Sequence, residues 1–207
     1  MTKIDRFGVL EVTKAIREEM PHLTVAVWDL EPFMGGFHNW RKNIVFVECE
    51  GLVTDELAQK LSQRFTFAAF YTGTKKIQPR EFNLGPTKAS VVILSRKDFN
   101  NLMEDKEISV LTPTLEEQAI DILAYSLREA IPIPVSEAAN VISYVISTRA
   151  ASITKMHRYA TRKYVDWLFK IILYQLAKRG EIIGLEPRFA KAGEQYLRAT
   201  KGVENRE

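Results

Sequence analysis

The chain has 207 residues, 46% hydrophobic and 27% charged, with one cysteine, Cys49, and a formal net charge of +3. That balance excludes a mainly disordered, collagenous or disulfide-rich chain, and a lone cysteine forms no intramolecular disulfide. No apolar run reaches the length of a membrane span, and Met1-Thr2-Lys3-Ile4-Asp5-Arg6 lacks a signal peptide's apolar core, so a cytoplasmic protein without membrane contact is expected.

Residues 9–20 read as a helix stopped by Pro21. Residues 23–28 are β-branched and apolar, a strand pattern. Residues 31–40 hold Pro32 and Gly35-Gly36 and read as a loop or a broken turn of helix. Residues 43–49 form the clearest strand, with the continuous apolar run of a strand buried on both faces. Thr54 offers an N-cap to a helix over 55–64, with Asp55 and Glu56 in its first turn and Arg64 in its last. Residues 67–71, 90–94 and 108–111 read as further strands, 72–88 as a loop and 98–103 as a short helical turn. This order predicts an α/β fold with a mixed four- or five-stranded sheet. The strands of Val45 and Phe67, joined through a helix, suit a crossover unit.

A helical C-terminal region follows. Thr112-Pro113-Thr114 caps a helix through Leu115, Ile120, Leu123 and Leu127, which ends at Ile131-Pro132-Ile133-Pro134. Ser136 is the expected cap of a second helix to about Thr148. Residues 152–178 read as one long helix, or two with a short break. A short strand over 181–185 and a helix over 187–197 complete the pattern. The expected organisation is a sheet region over 1–111 and a helical region over 112–207, packed on or beside it.

Charge is unevenly spread. Residues 149–180 carry eight basic residues and one acid, Asp166, for a net +7, whereas residues 1–148 sum to −4. On a helical wheel Ile153, Met156, Ala160, Tyr164, Trp167, Leu168, Ile171 and Tyr174 fall on one side. Lys155, Arg158, Arg162, Lys163 and Lys170 fall on the other, with Tyr159 among them. These six are the candidate partner- or nucleic-acid-binding residues. Successive cations reach successive phosphates or an acidic protein surface, and Tyr159 offers a ring for stacking. An ordinary solvated helix face is also charged, but usually mixes both signs.

Chemistry is less evident. Asp29, Glu48 and Glu50 lie beside strands, as in metal-dependent nucleases that clasp a cation between strand-end acids. The lysine such sites carry two residues after the second acid is replaced by Glu50, so the catalytic signature is broken. Cys49 reads as a small core residue. His22, His38 and His157 have no metal-ligand spacing, and Gly35-Gly36 and Gly73 form no phosphate loop. Trp28 and Trp40 read as packing residues, and Lys75, Lys76 and Arg80 as decoration of a solvated loop. No catalytic residue, metal site or cofactor is expected.

Three ordered motifs carry a resemblance: Trp28-Asp29-Leu30 followed by the strand over 43–50 and Glu56-Leu57-Ala58-x-x-Leu61; Pro113-Thr114-Leu115-Glu116 with Asp121; and Arg158-Tyr159-Ala160-Thr161-Arg162-Lys163. Over roughly residues 23–175 the chain resembles a bacterial group related to AbiE-type abortive-infection antitoxins. The resemblance implies a non-enzymatic protein of a toxin–antitoxin or phage-defence system that opposes a nucleotidyltransferase-like toxin. Such antitoxins carry an N-terminal winged helix, for which the 22 residues before Leu23 are too few. Glu117 stands where that group has Lys. Glu116 and Asp121 are expected to position their helix. The rival expectations are a degenerate metal-dependent nuclease and a DNA-binding regulator built on the C-terminal helices.

Overall fold

A computed structural model describes residues 7–37, 43–72, 75–77, 89–106, 109–182 and 187–204. They fall into two compact units. One takes Met1–Met34, Asn39–Thr114 and Arg128–Pro132; the other takes Gly35–His38, Leu115–Leu127 and Ile133–Glu207.

The first unit is built on a sheet. It opens with α1 (Val9–Glu19), β1 (Ala26–Asp29) and β2 (Asn43–Cys49), then α2 (Thr54–Arg64), β3 (Ala69–Thr72), β4 (Lys75–Ile77), β5 (Ala89–Ser95), β6 (Met103–Asp105) and β7 (Val110–Thr112). The strand order is β4-β3-β5-β2-β1-β7-β6. Pairs β3/β5, β5/β2 and β1/β7 are parallel and the other three antiparallel, so the sheet is mixed, as the sequence implied. It has seven strands rather than four or five. The additional ones include β4 and β6, three residues each and paired as hairpin arms, too short to give a periodicity signal. β4 falls inside the expected loop, and β6 replaces the end of the expected helical turn. The strands on either side of α2 are not neighbours: β5 lies between β2 and β3.

Alternation sorts the strand residues between two faces. Val45, Val47 and Cys49 of β2, Ala89, Val91 and Ile93 of β5, Val27 and Phe70 form one apolar cluster with Val12, Ala15 and Ile16 of α1 and Leu57, Ala58 and Leu61 of α2. Ile44, Phe46, Val92 and Leu94 point the other way and are buried as well, which is why these strands read as unbroken apolar runs. α2 is not capped by Thr54. The 3-10 turn Gly51–Val53 leads straight into it, and the Thr54 hydroxyl donates back to the Gly51 carbonyl at 3.1 Å.

The second unit holds α3 (Leu115–Leu127), α4 (Val135–Ser147), α5 (Ile153–Arg162), α6 (Asp166–Lys178) and α7 (Pro187–Glu204). α3 packs on α4 and α5, α6 on α4, α5 and α7. Gly36 packs under α4: a Cβ there would lie 3.1 Å from the Val141 Cα and 2.9 Å from the Tyr144 Cβ. Ser136 does not cap α4; Pro134 occupies the cap position, with no side-chain bond. Residues 181–182 form a bend rather than a strand start; 183–186 lie outside the described residues, as do His38, Trp40, Gly73 and Arg80.

The two-helix alternative for residues 152–178 is the one realised, and the break has a local cause. After α5 the Val165 amide donates to the Ala160 carbonyl at 2.9 Å and the Tyr164 amide to the Thr161 carbonyl at 3.2 Å. That is the hydrogen-bond pair of a Schellman C-cap, with Tyr164 left-handed at φ +60° where glycine is usual. The single wheel therefore fails beyond Lys163. Tyr164, placed on the buried side by that wheel, is 82% exposed.

Candidate functional site

α5 is positioned by α3. Ser152 is its N-cap, the hydroxyl accepting the Lys155 amide at 3.4 Å. The buried Glu116 carboxylate of α3 accepts the Ser152 amide at 3.2 Å and stands 3.8 Å from the Lys155 ammonium. An acid there also suits the positive end of the α5 dipole. At the far end of α5, the Lys163 ammonium lies 2.7 Å from Asp121 and 5.6 Å from the Tyr125 ring centroid. Asp121 is 1% exposed and Lys163 28% exposed, so this is a largely buried pair. The Glu116–Asp121 motif and the Arg158–Lys163 motif, distant in sequence, thus meet in one helix–helix contact. Met156 and Ala160 complete the buried stripe of α5.

The six sequence-predicted residues divide by role. Lys163 holds α5 to Asp121. Lys170 is 18% exposed and pairs with Asp166 one turn earlier at 2.8 Å. Neither lies open to a flat partner. Lys155, Arg158, Tyr159 and Arg162 keep helical spacings of three and four residues and share the outer stripe of α5. Lys155, Arg158 and Arg162 are exposed, and the Arg162 guanidinium carbon sits 5.9 Å from the Tyr159 ring centroid. Among the described residues no carboxylate is paired with Arg158 or Arg162. Tyr164, also exposed, follows directly after the C-terminal end of α5. Sequence reasoning missed it because no Gly or Asn marks the left-handed cap, so the helical period reads straight through.

The strand-end acids do not assemble. β1 and β2 run antiparallel, with Ala26 opposite Glu48 and Asp29 opposite Val45. Asp29 and Glu48 are therefore separated by three strand steps, roughly 10 Å along the sheet. The buried Glu48 accepts from the Trp28 indole N–H at 2.9 Å and is ion-paired to Arg96. Asp29 accepts the Glu31 amide at 2.9 Å, closing the turn after β1. Burial lifts its carboxyl above the usual range, against the opposing pull of that amide, and the Glu31 charge adds to the rise. Glu50 is exposed. Among the described residues no group of three His, Cys, Asp or Glu is arranged to hold a metal. Cys49 is fully buried, and burial, with Glu50 and Glu48 nearby, pushes its thiol up to about 12, which suits a core residue and not a nucleophile.

Fold and surface together define an α/β protein that carries a basic, tyrosine-bearing helix. The chain belongs to the family of unknown function DUF6577, whose model matches residues 6–178. No curated protein and no solved structure matches it. Among the described residues no helix is long and apolar enough to cross a membrane.

Proposed function

We propose that the chain is a non-enzymatic binding protein of the antitoxin type, acting in the cytoplasm by engaging an acidic protein through the outer stripe of α5. The observation that carries this reading is the stripe of Arg158, Tyr159 and Arg162, with the exposed Tyr164 just after the helix end. It is rich in the two residue types that dominate protein–protein hot spots. Arginine forks grip carboxylates in pairs, and tyrosine rings add contact area at low entropy cost. The helix beneath is held in place at both ends by Glu116 and Asp121, so little ordering remains for binding.

Nucleic acid is the weaker partner class. A duplex-binding surface neutralises on the order of 6–10 phosphates. With Lys163 and Lys170 engaged elsewhere, the stripe offers Lys155, Arg158 and Arg162. The resemblance of the α3 and α5 motifs to AbiE-type antitoxins suggests a nucleotidyltransferase-like toxin of a phage-defence system as the acidic partner. Co-expression with the reading frame adjacent to its gene tests this. Co-purification with wild-type protein, lost on joint Arg158→Glu and Arg162→Glu substitution with the circular dichroism unchanged, is the expected result. Co-purification that survives the charge reversal counts against the reading.

A further inference from the structure

α5 also borders an open cleft of about 430 Å³ within the helical unit. Thr154, His157 and Arg158 line it from α5, Lys170 from α6, and Phe189 and Ala192 from α7. Close packing of α7 on α6 builds this wall. At Gly193 the backbones approach so nearly that a Cβ would stand 2.2 Å from the Lys170 carbonyl oxygen. The His157 ring meets Phe189 edge-on at 4.9 Å between centroids, giving one side of the cleft an aromatic surface.

Two cations, Arg158 and Lys170, line it together with His157, and no acid lines it among the described residues. Arg158 is exposed and has no ion-pair partner among the described residues. The Lys170 ammonium gives one hydrogen bond to Asp166 at 2.8 Å and lies 5.8 Å from the Tyr196 ring centroid. An ammonium has three donors, so this bond leaves capacity for a ligand. Thr154 adds a hydroxyl.

We propose that this cleft binds a small phosphate monoester, its phosphoryl group between Arg158 and Lys170 and its apolar body against Phe189 and Ala192. A dianion matches two cations better than a carboxylate does, and a guanidinium fork plus an ammonium is a recurrent phosphate grip. The volume suits a small organic ligand. This site shares Arg158 with the partner surface but not Tyr159, Arg162 or Tyr164, and it adds Lys170, Phe189 and Ala192 from α6 and α7.

Isothermal titration with phenyl phosphate, inorganic phosphate and benzoate tests the proposal on the full chain. Phenyl phosphate should bind most tightly, and Lys170→Gln should weaken it about tenfold or more. Ala192→Phe, which fills the cleft without changing charge, should block it. Lys191→Gln, on α7 but outside the lining, should have no effect. The idea is overturned if phenyl phosphate does not bind, if Lys191→Gln matters as much as Lys170→Gln, or if binding survives Ala192→Phe. Equal affinity for inorganic phosphate would remove the apolar subsite, and equal affinity for benzoate the phosphate preference; either result refutes the proposal as stated. Arg162→Glu should leave phenyl phosphate binding intact while impairing partner binding, which separates this site from the partner surface.

Discussion

Lys163→Ala should unfold the helical unit more readily, whatever it does to binding. The ammonium lies 2.7 Å from a carboxylate that is 1% exposed. At an effective dielectric constant near 20 the gross attraction is about 6 kcal/mol, much of it offset by the desolvation of both ions. Truncating one member of a buried pair costs about 3–5 kcal/mol because the other charge is left behind. Lys163 is 28% exposed, so the lower end, about 3 kcal/mol, applies. Asp121→Ala should cost less, about 1 kcal/mol, because the freed ammonium turns outward to water. For a chain of this size each kcal/mol moves the melting temperature by about 2–4 °C, so Lys163→Ala should melt about 6–12 °C lower. Thermal unfolding followed by circular dichroism reads the difference. Equal melting temperatures, or Asp121→Ala as the more damaging change, would refute the assignment of Lys163 as the counterion of a buried acid.

Gly36→Ala pushes a methyl against the α4 backbone at Val141 and should cost about 1–3 kcal/mol, whereas Gly8→Ala, whose nearest neighbour would be 3.7 Å away, meets no such clash; urea midpoints compare the two. Cys49 should resist alkylation at mildly basic pH until the chain unfolds. Its folded thiol holds its proton up to about 12 while an unfolded one ionises near 9.0, so its contribution to stability should fall as pH rises through that window. Comparing pH–stability profiles of wild type and Cys49→Ala isolates that slope. Tyr164→Gly relieves the left-handed cap and should stabilise the fold by about 1 kcal/mol while weakening capture of the acidic partner. A stabilised variant with undiminished capture would remove Tyr164 from the interface.

The central strands and most helices were legible because burial on both faces leaves long apolar runs, and because prolines and apolar periodicity bound the helices, although the caps read at Thr54 and Ser136 are not formed. β2 runs over the seven residues its pattern implied. The hairpin arms β4 and β6 were not legible, since pairing with a neighbour fixes them and their own residues carry little pattern. The basic helix shows both outcomes at once. Its composition marked the surface, but five cations on a wheel look alike whether they face water or a buried acid. Only the α3–α5 packing distinguishes Lys163, held by Asp121, from Arg162, which carries no ion pair among the described residues. Tyr164 escaped notice because its backbone takes a conformation usually signalled by glycine. The cleft joins residues from three helices, and no local spacing announces it.

The most direct test of the binding account is affinity capture from the native host with wild-type and Arg158→Glu/Arg162→Glu baits in parallel, quantified by mass spectrometry and repeated after nuclease treatment. The account predicts one acidic protein enriched on the wild-type bait alone, resistant to nuclease and released by salt. The same proteins on both baits, or a signal that disappears with nuclease, would contradict it.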